Sequence, residues 1–186
     1  MEQIRQIIRK ILKENIILSE ININPKKPEN YAYHIMESGT EKQYTFYAEN
    51  GFGYHLSFKE SKMSINDDNI KNAYGETEIK NKKGAPLYRF VMINFFPAGT
   101  DPEKEETFDE KTKRGGSLLL IGNILWMLFD FIEKNPNERC FAFAADDKRM
   151  NLYSNVFKNL ENIFHVFPKK NYDNAYKDEQ VILIKK

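Results

Sequence analysis

Residues 109–134, DEKTKRGGSLLLIGNILWMLFDFIEK, decide the fold because the chain turns there from charged to apolar. A charged run ends in two glycines, and almost every side chain from Ser117 to Ile132 is then apolar. A helix that is apolar on nearly all faces has to be buried on several sides. We therefore predict a buried helix over Ser117–Lys134, which the Asn135-Pro136-Asn137 segment ends.

Apolar and aromatic strands are predicted before this helix. Residues 87–96 are apolar on both faces apart from Arg89 and Asn94, which indicates a strand covered on both sides. Residues 43–48 and 54–58 alternate aromatic and polar side chains, and a glycine-containing turn at 50–53 joins them as a hairpin. Residues 59–86 are polar and poor in apolar side chains, and they predict a long, mobile loop.

Further strands and a second helix are predicted after it. Cys140–Ala144 is a short apolar run typical of a buried strand. Residues 148–162 place apolar side chains on one helical face, and Asp146 or Asp147 can cap that helix. Residues 163–167 and 180–184 predict two closing strands. The order predicts an α+β fold, with a central mixed sheet flanked by helices.

The N-terminal part predicts a separate amphipathic helix. Apolar side chains recur at helical spacing over residues 2–14, and Pro25 and Pro28 then break the chain. We assign residues 1–30 to this helix and its linker, and residues 31–186 to a single domain. The apolar stripe predicts packing on the domain, on a protein partner or on a second copy, with a membrane-surface helix as the alternative.

Composition narrows the classes of function. The net charge of +1 provides no overall field for nucleic acid or an anionic membrane. Cys140 is the single cysteine, which excludes an internal disulfide and a multi-thiolate metal site. His34, His55 and His165 are far apart in sequence, so no metal site is predicted. We expect a cytoplasmic protein, and His55 is predicted to face solvent.

One basic and aromatic segment remains as a weak candidate for nucleic-acid binding. Lys169-Lys170-Asn171-Tyr172 is followed by Tyr176-Lys177, and single-strand binders combine these residue types. Asp173 and Asp178 dilute the positive charge, so we do not predict nucleic acid as a partner.

From about Tyr44 onward the order resembles the GNAT-like (acyl-CoA N-acyltransferase-like) fold. In that fold a long strand leads through a glycine-containing loop to a pyrophosphate-binding helix, a strand, a second helix and a closing hairpin. Two segments carry the resemblance. Arg114-Gly115-Gly116-Ser117-Leu118-Leu119 is similar to the loop of the acetyl-CoA site, and Leu152-Tyr153-Ser154-Asn155-Val156-Phe157 is similar to an "LYxxxGF" signature, with Val156 in place of its glycine.

A second resemblance is to uncharacterised small proteins of bacteriophages and Bacteroidota. They pair an aromatic hairpin with a long apolar helix and a later "FxFxA…R…LY" pattern. The matching elements are Tyr44-Thr45-Phe46, Gly51, Tyr54, Phe141-Ala142-Phe143-Ala144, Arg149 and Leu152-Tyr153.

The resemblance implies two functions, which the sequence leaves open. The first is a phage-type accessory or virion-associated protein, in the host cytoplasm or the virion, whose GNAT-like core is a non-catalytic interaction scaffold without a cofactor. The second is an acetyl-CoA-dependent N-acetyltransferase acting on a protein or small amine. Arg114, Gly115, Gly116 and Ser117 would then hold the pyrophosphate at the helix start, and Tyr153 would protonate the departing thiolate.

Overall fold

The computed structural model describes residues 25–36, 39–47, 53–98, 117–144, 156–172 and 179–186. Two helices in this part of the chain are α1 (Asp68–Tyr74) and α2 (Ser117–Lys134). The strands are β1 (Tyr31–Ile35), β2 (Glu41–Tyr47), β3 (Gly53–Met63), β4 (Tyr88–Pro97), β5 (Cys140–Ala144), β6 (Phe164–Lys170) and β7 (Gln180–Lys185).

The strands form a seven-stranded sheet in the order β1-β2-β3-β4-β5-β7-β6. Strands β1 and β2 are antiparallel, β4 and β5 are parallel, and β7 is antiparallel to both β5 and β6. The predicted mixed sheet is therefore confirmed, and so is the predicted closing pair of strands. Strand β7 lies between β5 and β6 although it follows β6 in the chain.

The chain divides into two compact units. The first comprises Met1–Ser57 and Phe95–Asn137, and it contains α2. Leu125 and Phe129 of this helix are 0% exposed, which confirms the predicted buried helix. Its Trp126 ring meets the Tyr31 ring edge-on at a centroid distance of 5.2 Å. The chain before β1 also lies against α2, because Lys26 N donates to the Gly122 carbonyl at 3.0 Å.

The second unit comprises Phe58–Asn94 and Glu138–Lys186. Helix α1 begins after Asp67, whose carboxylate accepts from Asn69 N at 3.0 Å, as an N-cap does. The Tyr74 ring at the end of α1 packs edge-on against Tyr88, with 4.9 Å between ring centroids. Around them lies a buried cluster that includes Met63, Ile65, Ile70, Phe90, Cys140, Ala142, Tyr172, Ile182 and Ile184.

The prediction of a long loop over 59–86 is wrong. Strand β3 continues to Met63, and α1 follows at Asp68. The polar composition gave no sign of this strand end and helix, because a few apolar side chains are enough to cover one side of a sheet. Met63, Ile65 and Ile70, all at most 5% exposed, supply them.

Strand β1 is a further element that we did not predict. Of the predicted second helix, the structure describes the part from residue 156 onward. Residues 156–158 are helical, and turns then lead into β6, which begins at Phe164. The predicted N-terminal helix over 2–14 lies outside the described residues. None of the helices described here is long and apolar enough to cross a membrane.

Candidate functional site

Most residues of the predicted acyl-CoA site lie outside the part of the chain that the structure describes. These are Arg114, Gly115, Gly116 and Tyr153. The other polar residues named near Tyr153 in the sequence, Asp146, Asp147 and Arg149, also lie outside the described residues. Ser117 is the first residue of α2. Its predicted role in holding a pyrophosphate stays a prediction.

The two strands on either side of α2 in the chain are parallel neighbours. The register pairs Val91 with Phe141, Met92 with Ala142 and Ile93 with Phe143. Strand β4 continues to Pro97, and Ala144, one residue after the last partner, is the last residue of β5 that the structure describes. Within the described residues, the pairing is thus short compared with the length of β4.

A row of polar side chains crosses the first three strands on the side away from α2. His34 of β1 is the register partner of Gln43 of β2. Gln43 Nε2 lies 2.5 Å from His55 Nδ1 of β3, and Thr45 Oγ1 lies 2.9 Å from the same nitrogen. Two histidines that are far apart in sequence therefore belong to one row, which the sequence analysis did not predict.

The environment of His55 sets its charge. Partial burial lowers the pKa of the imidazole below its usual range, and the neighbouring His34 lowers that pKa further. The Phe96 ring lies 5.2 Å from the imidazole, so the side chain is half-buried, not facing open solvent as we predicted. The lowered pKa favours the neutral form of the imidazole, which contacts the Gln43 amide and the Thr45 hydroxyl.

The opposite side of these strands carries a different polar group. The Tyr44 hydroxyl donates to Asp130 Oδ2 at 2.6 Å, and Lys134 forms an ion pair with the same carboxylate. Burial, and then the hydrogen bond to Asp130, raise the pKa of Tyr44 far above its usual range. The Lys134 ammonium also lies 4.7 Å from the centroid of the Tyr33 ring. These contacts fasten the end of α2 to β1 and β2.

Two residues of the basic and aromatic segment, Tyr172 and Lys170, make structural contacts, and the thiol of Cys140 is buried. Tyr172 is 2% exposed and donates to the Pro168 carbonyl, so its ring is not available to stack on a base. Lys170 forms an ion pair with Asp67 at 3.1 Å. Burial raises the pKa of the Cys140 thiol to about 12, which makes it a poor nucleophile at neutral pH.

In the described ranges, no group of three or more His, Cys, Asp or Glu side chains could hold a metal ion. The row of His34, Gln43, Thr45 and His55 was missed because it depends on the register between strands. The alternation of Gln43, Thr45 and His55 in a predicted hairpin was the available clue.

The sequence matches no family model, and it matches no curated protein. Function is therefore inferred from the residues and contacts above.

Proposed function

We propose that this chain is a phage-type accessory or virion-associated protein that acts as a non-catalytic interaction scaffold. One observation carries the proposal. Ile35, Met36 and Tyr47 are the large hydrophobic residues exposed in the described part of the chain, at 65%, 42% and 60%. All three lie in β1, directly after it, or in β2. Ile35 and Met36 are adjacent in the chain at the end of β1, and exposed apolar side chains at one place favour a protein-binding surface.

The order of elements supports a GNAT-like core for this scaffold. The long strand β4 is followed by helix α2, by the parallel strand β5, by a helical segment at 156–158 and by the antiparallel strands β6 and β7. The GNAT-like fold has its elements in this order. In such a core, the amphipathic segment 2–14 would add a docking helix at one end of the chain.

The test combines cofactor binding with partner association. Calorimetric titration of the full chain with acetyl-CoA is expected to give no binding heat. Co-purification from the native source should recover a partner with the full chain and lose it when residues 1–14 are deleted. A matched control preserves the apolar stripe: Ile4, Ile7, Ile8 and Ile11 are each replaced by leucine, and Leu12 is replaced by isoleucine. Micromolar affinity for acetyl-CoA would contradict the proposal.

The second candidate function is an acetyl-CoA-dependent N-acetyltransferase. The observation that favours it is the parallel pairing of β4 with β5, the strands that precede and follow α2 in the chain, because in GNAT-like proteins the thioester lies between these two strands. An amine nitrogen would attack the thioester carbonyl, forming the C–N bond and breaking the C–S bond. The amine would release its proton to solvent, and Tyr153 would protonate the thiolate. Backbone N–H groups of β4 would polarise the carbonyl.

Two substitutions separate the steps of this candidate reaction. Tyr153→Phe should lower turnover and leave the affinity for acetyl-CoA nearly unchanged, because its proton is needed only as the thiolate leaves. Gly116→Glu should abolish binding by placing bulk and negative charge at the pyrophosphate position. If neither variant differs from the parent protein in binding or turnover, the enzyme hypothesis is wrong.

A further inference from the structure

Strand β1 has backbone groups that point away from the sheet. Among the described strands, it is the terminal one in the sheet order. Met36 N donates to the Glu41 carbonyl at 2.9 Å, and Tyr47 N donates to the Asn30 carbonyl at 3.3 Å. The backbone N–H and C=O groups of successive residues in an antiparallel strand point alternately to one side and to the other. In this segment, the backbone groups of the even-numbered residues therefore point toward β2. The N–H and C=O groups of Tyr31, Tyr33 and Ile35 therefore point outward.

Among the residues that the structure describes, none at this edge provides the usual protection of a sheet edge against pairing. Proteins protect an edge with lysine, proline or a bulge. Strand β6, at the other end of the sheet order, has Pro168, Lys170 and a register shift between Phe167 and Lys170. Strand β1 reads YAYHI and pairs with β2 in unbroken register. An unprotected edge next to the exposed Ile35 is suited to accept another strand.

We propose that β1 pairs antiparallel with β1 of a second copy of this chain, about a twofold axis at Tyr33. Tyr33 then lies opposite Tyr33 of the second copy, and Tyr31 lies opposite its Ile35. All three outward-facing residues exchange backbone hydrogen bonds, which gives about six across the interface. This dimer does not require residues 1–14, and it buries Ile35, one of the exposed apolar side chains on which the proposed function rests.

The side chains of β1 are self-complementary in this register. Each Ile35, 65% exposed in one chain, gains the Tyr31 ring as its cross-strand neighbour. Ala32 lies opposite His34, so no two like-charged side chains of β1 face each other directly; the charged group next to the axis is the Lys134 ammonium, 4.7 Å from the centroid of the Tyr33 ring. The strand is also ordered in advance, because Tyr33 packs on Tyr44 at a centroid distance of 4.8 Å and Tyr31 packs on Trp126. A preformed strand lowers the entropy cost of pairing.

Sedimentation equilibrium of the full chain tests the surface. The parent protein is expected to be a dimer, and Ile35→Lys should raise the dissociation constant roughly tenfold or more, equivalent to the loss of one good apolar contact. Tyr47→Lys is the matched control, since Tyr47 is 60% exposed but lies on β2, and it should leave the dimer intact. A monomeric parent protein, or a dimer that Ile35→Lys does not weaken, would overturn the proposal.

Disulfide trapping tests the register. Facing residues in a hydrogen-bonded antiparallel pair have Cα atoms about 5.5 Å apart, within the range for a disulfide. Tyr33→Cys should therefore form a covalent dimer under mild oxidation. Ala32→Cys should not form one, because residue 32 of each copy lies opposite His34 of the other copy and not opposite residue 32. Dimers trapped by Ala32→Cys alone, or lost on deleting residues 1–14, would contradict pairing through β1. Circular dichroism checks that each variant is folded.

Discussion

The two faces of strands β1–β3 in the first unit differ in what they contact. On the α2 side, Tyr44 and Phe46 are fully buried. On the other side, Gln43, Thr45 and His55 are half-buried and polar. The same strands supply both faces, because successive side chains of a strand point in opposite directions. The comparison indicates that stability depends mainly on the α2 face, whereas the polar face makes that stability respond to pH.

The largest effect is expected in α2. Leu125→Ala should lower the free energy of unfolding by about 2–5 kcal/mol, because it removes a fully buried side chain and leaves a cavity. Urea unfolding followed by circular dichroism measures the change. Tyr47→Ala is the control, since Tyr47 is 60% exposed and lies outside the proposed dimer edge, and its loss should cost less than about 0.5 kcal/mol. Equal costs at the two positions would show that α2 is not the core of the first unit.

A smaller effect is expected at the polar contact of the same face. Asp130→Ala removes the acceptor of a buried hydroxyl and the ion-pair partner of Lys134, and it should cost about 1–3 kcal/mol. Tyr44→Phe should cost less, because Asp130 keeps its ion pair with Lys134. Urea unfolding of both variants compares them. The reverse order of costs would mean that the tyrosine hydroxyl, and not the carboxylate, is the critical partner.

On the polar face we expect a pH effect. The pKa of His55 is lower in the folded protein than its ordinary value near 6.5, so the unfolded chain takes up the proton first as pH falls. The stabilising contribution is therefore complete above about pH 6.5 and decreases as pH falls through the folded pKa. Unfolding at pH 8 and pH 5 should show a smaller pH difference for His55→Gln than for the parent protein. An unchanged difference would contradict this assignment.

The smallest effect is expected at Thr45. Thr45→Val keeps the shape of the side chain and removes one of the two polar contacts to His55 Nδ1. Because Gln43 still contacts that nitrogen, the free energy of unfolding should change by about 0.5 kcal/mol or less. Nuclear magnetic resonance titration of the His55 ring would detect a change in its pKa. A loss comparable to that of Asp130→Ala would remove the distinction between the two faces.

Elements with strong local patterns were predicted well from the sequence. The apolar run of α2 and the runs of β4 and β5 each indicated a buried element without reference to any partner. Strand β1 was missed because YAYHI is a run of only five residues, and its pairing with β2 is what makes it a strand. Helix α1 was missed because its single buried side chain, Ile70, leaves almost no periodic pattern.

The candidate site was harder to predict than the fold. The contact between Gln43 and His55 depends on the strand register, which no local pattern states. The composition nevertheless predicted correctly that Cys140 would be buried. The proposed roles of Arg114, Gly115, Gly116 and Tyr153 remain predictions, because these residues lie outside the described ranges.

The position of β7 has a consequence for synthesis on the ribosome. Strand β5 pairs with β7 along its whole length, yet about 40 residues separate the start of β5 at Cys140 from the start of β7 at Gln180. At roughly 5–20 residues per second, translation of that interval takes on the order of seconds. Throughout it, the apolar strand CFAFA emerges without its antiparallel partner. We therefore expect the nascent chain to be most prone to chaperone binding and aggregation in this interval, before β7 leaves the exit tunnel.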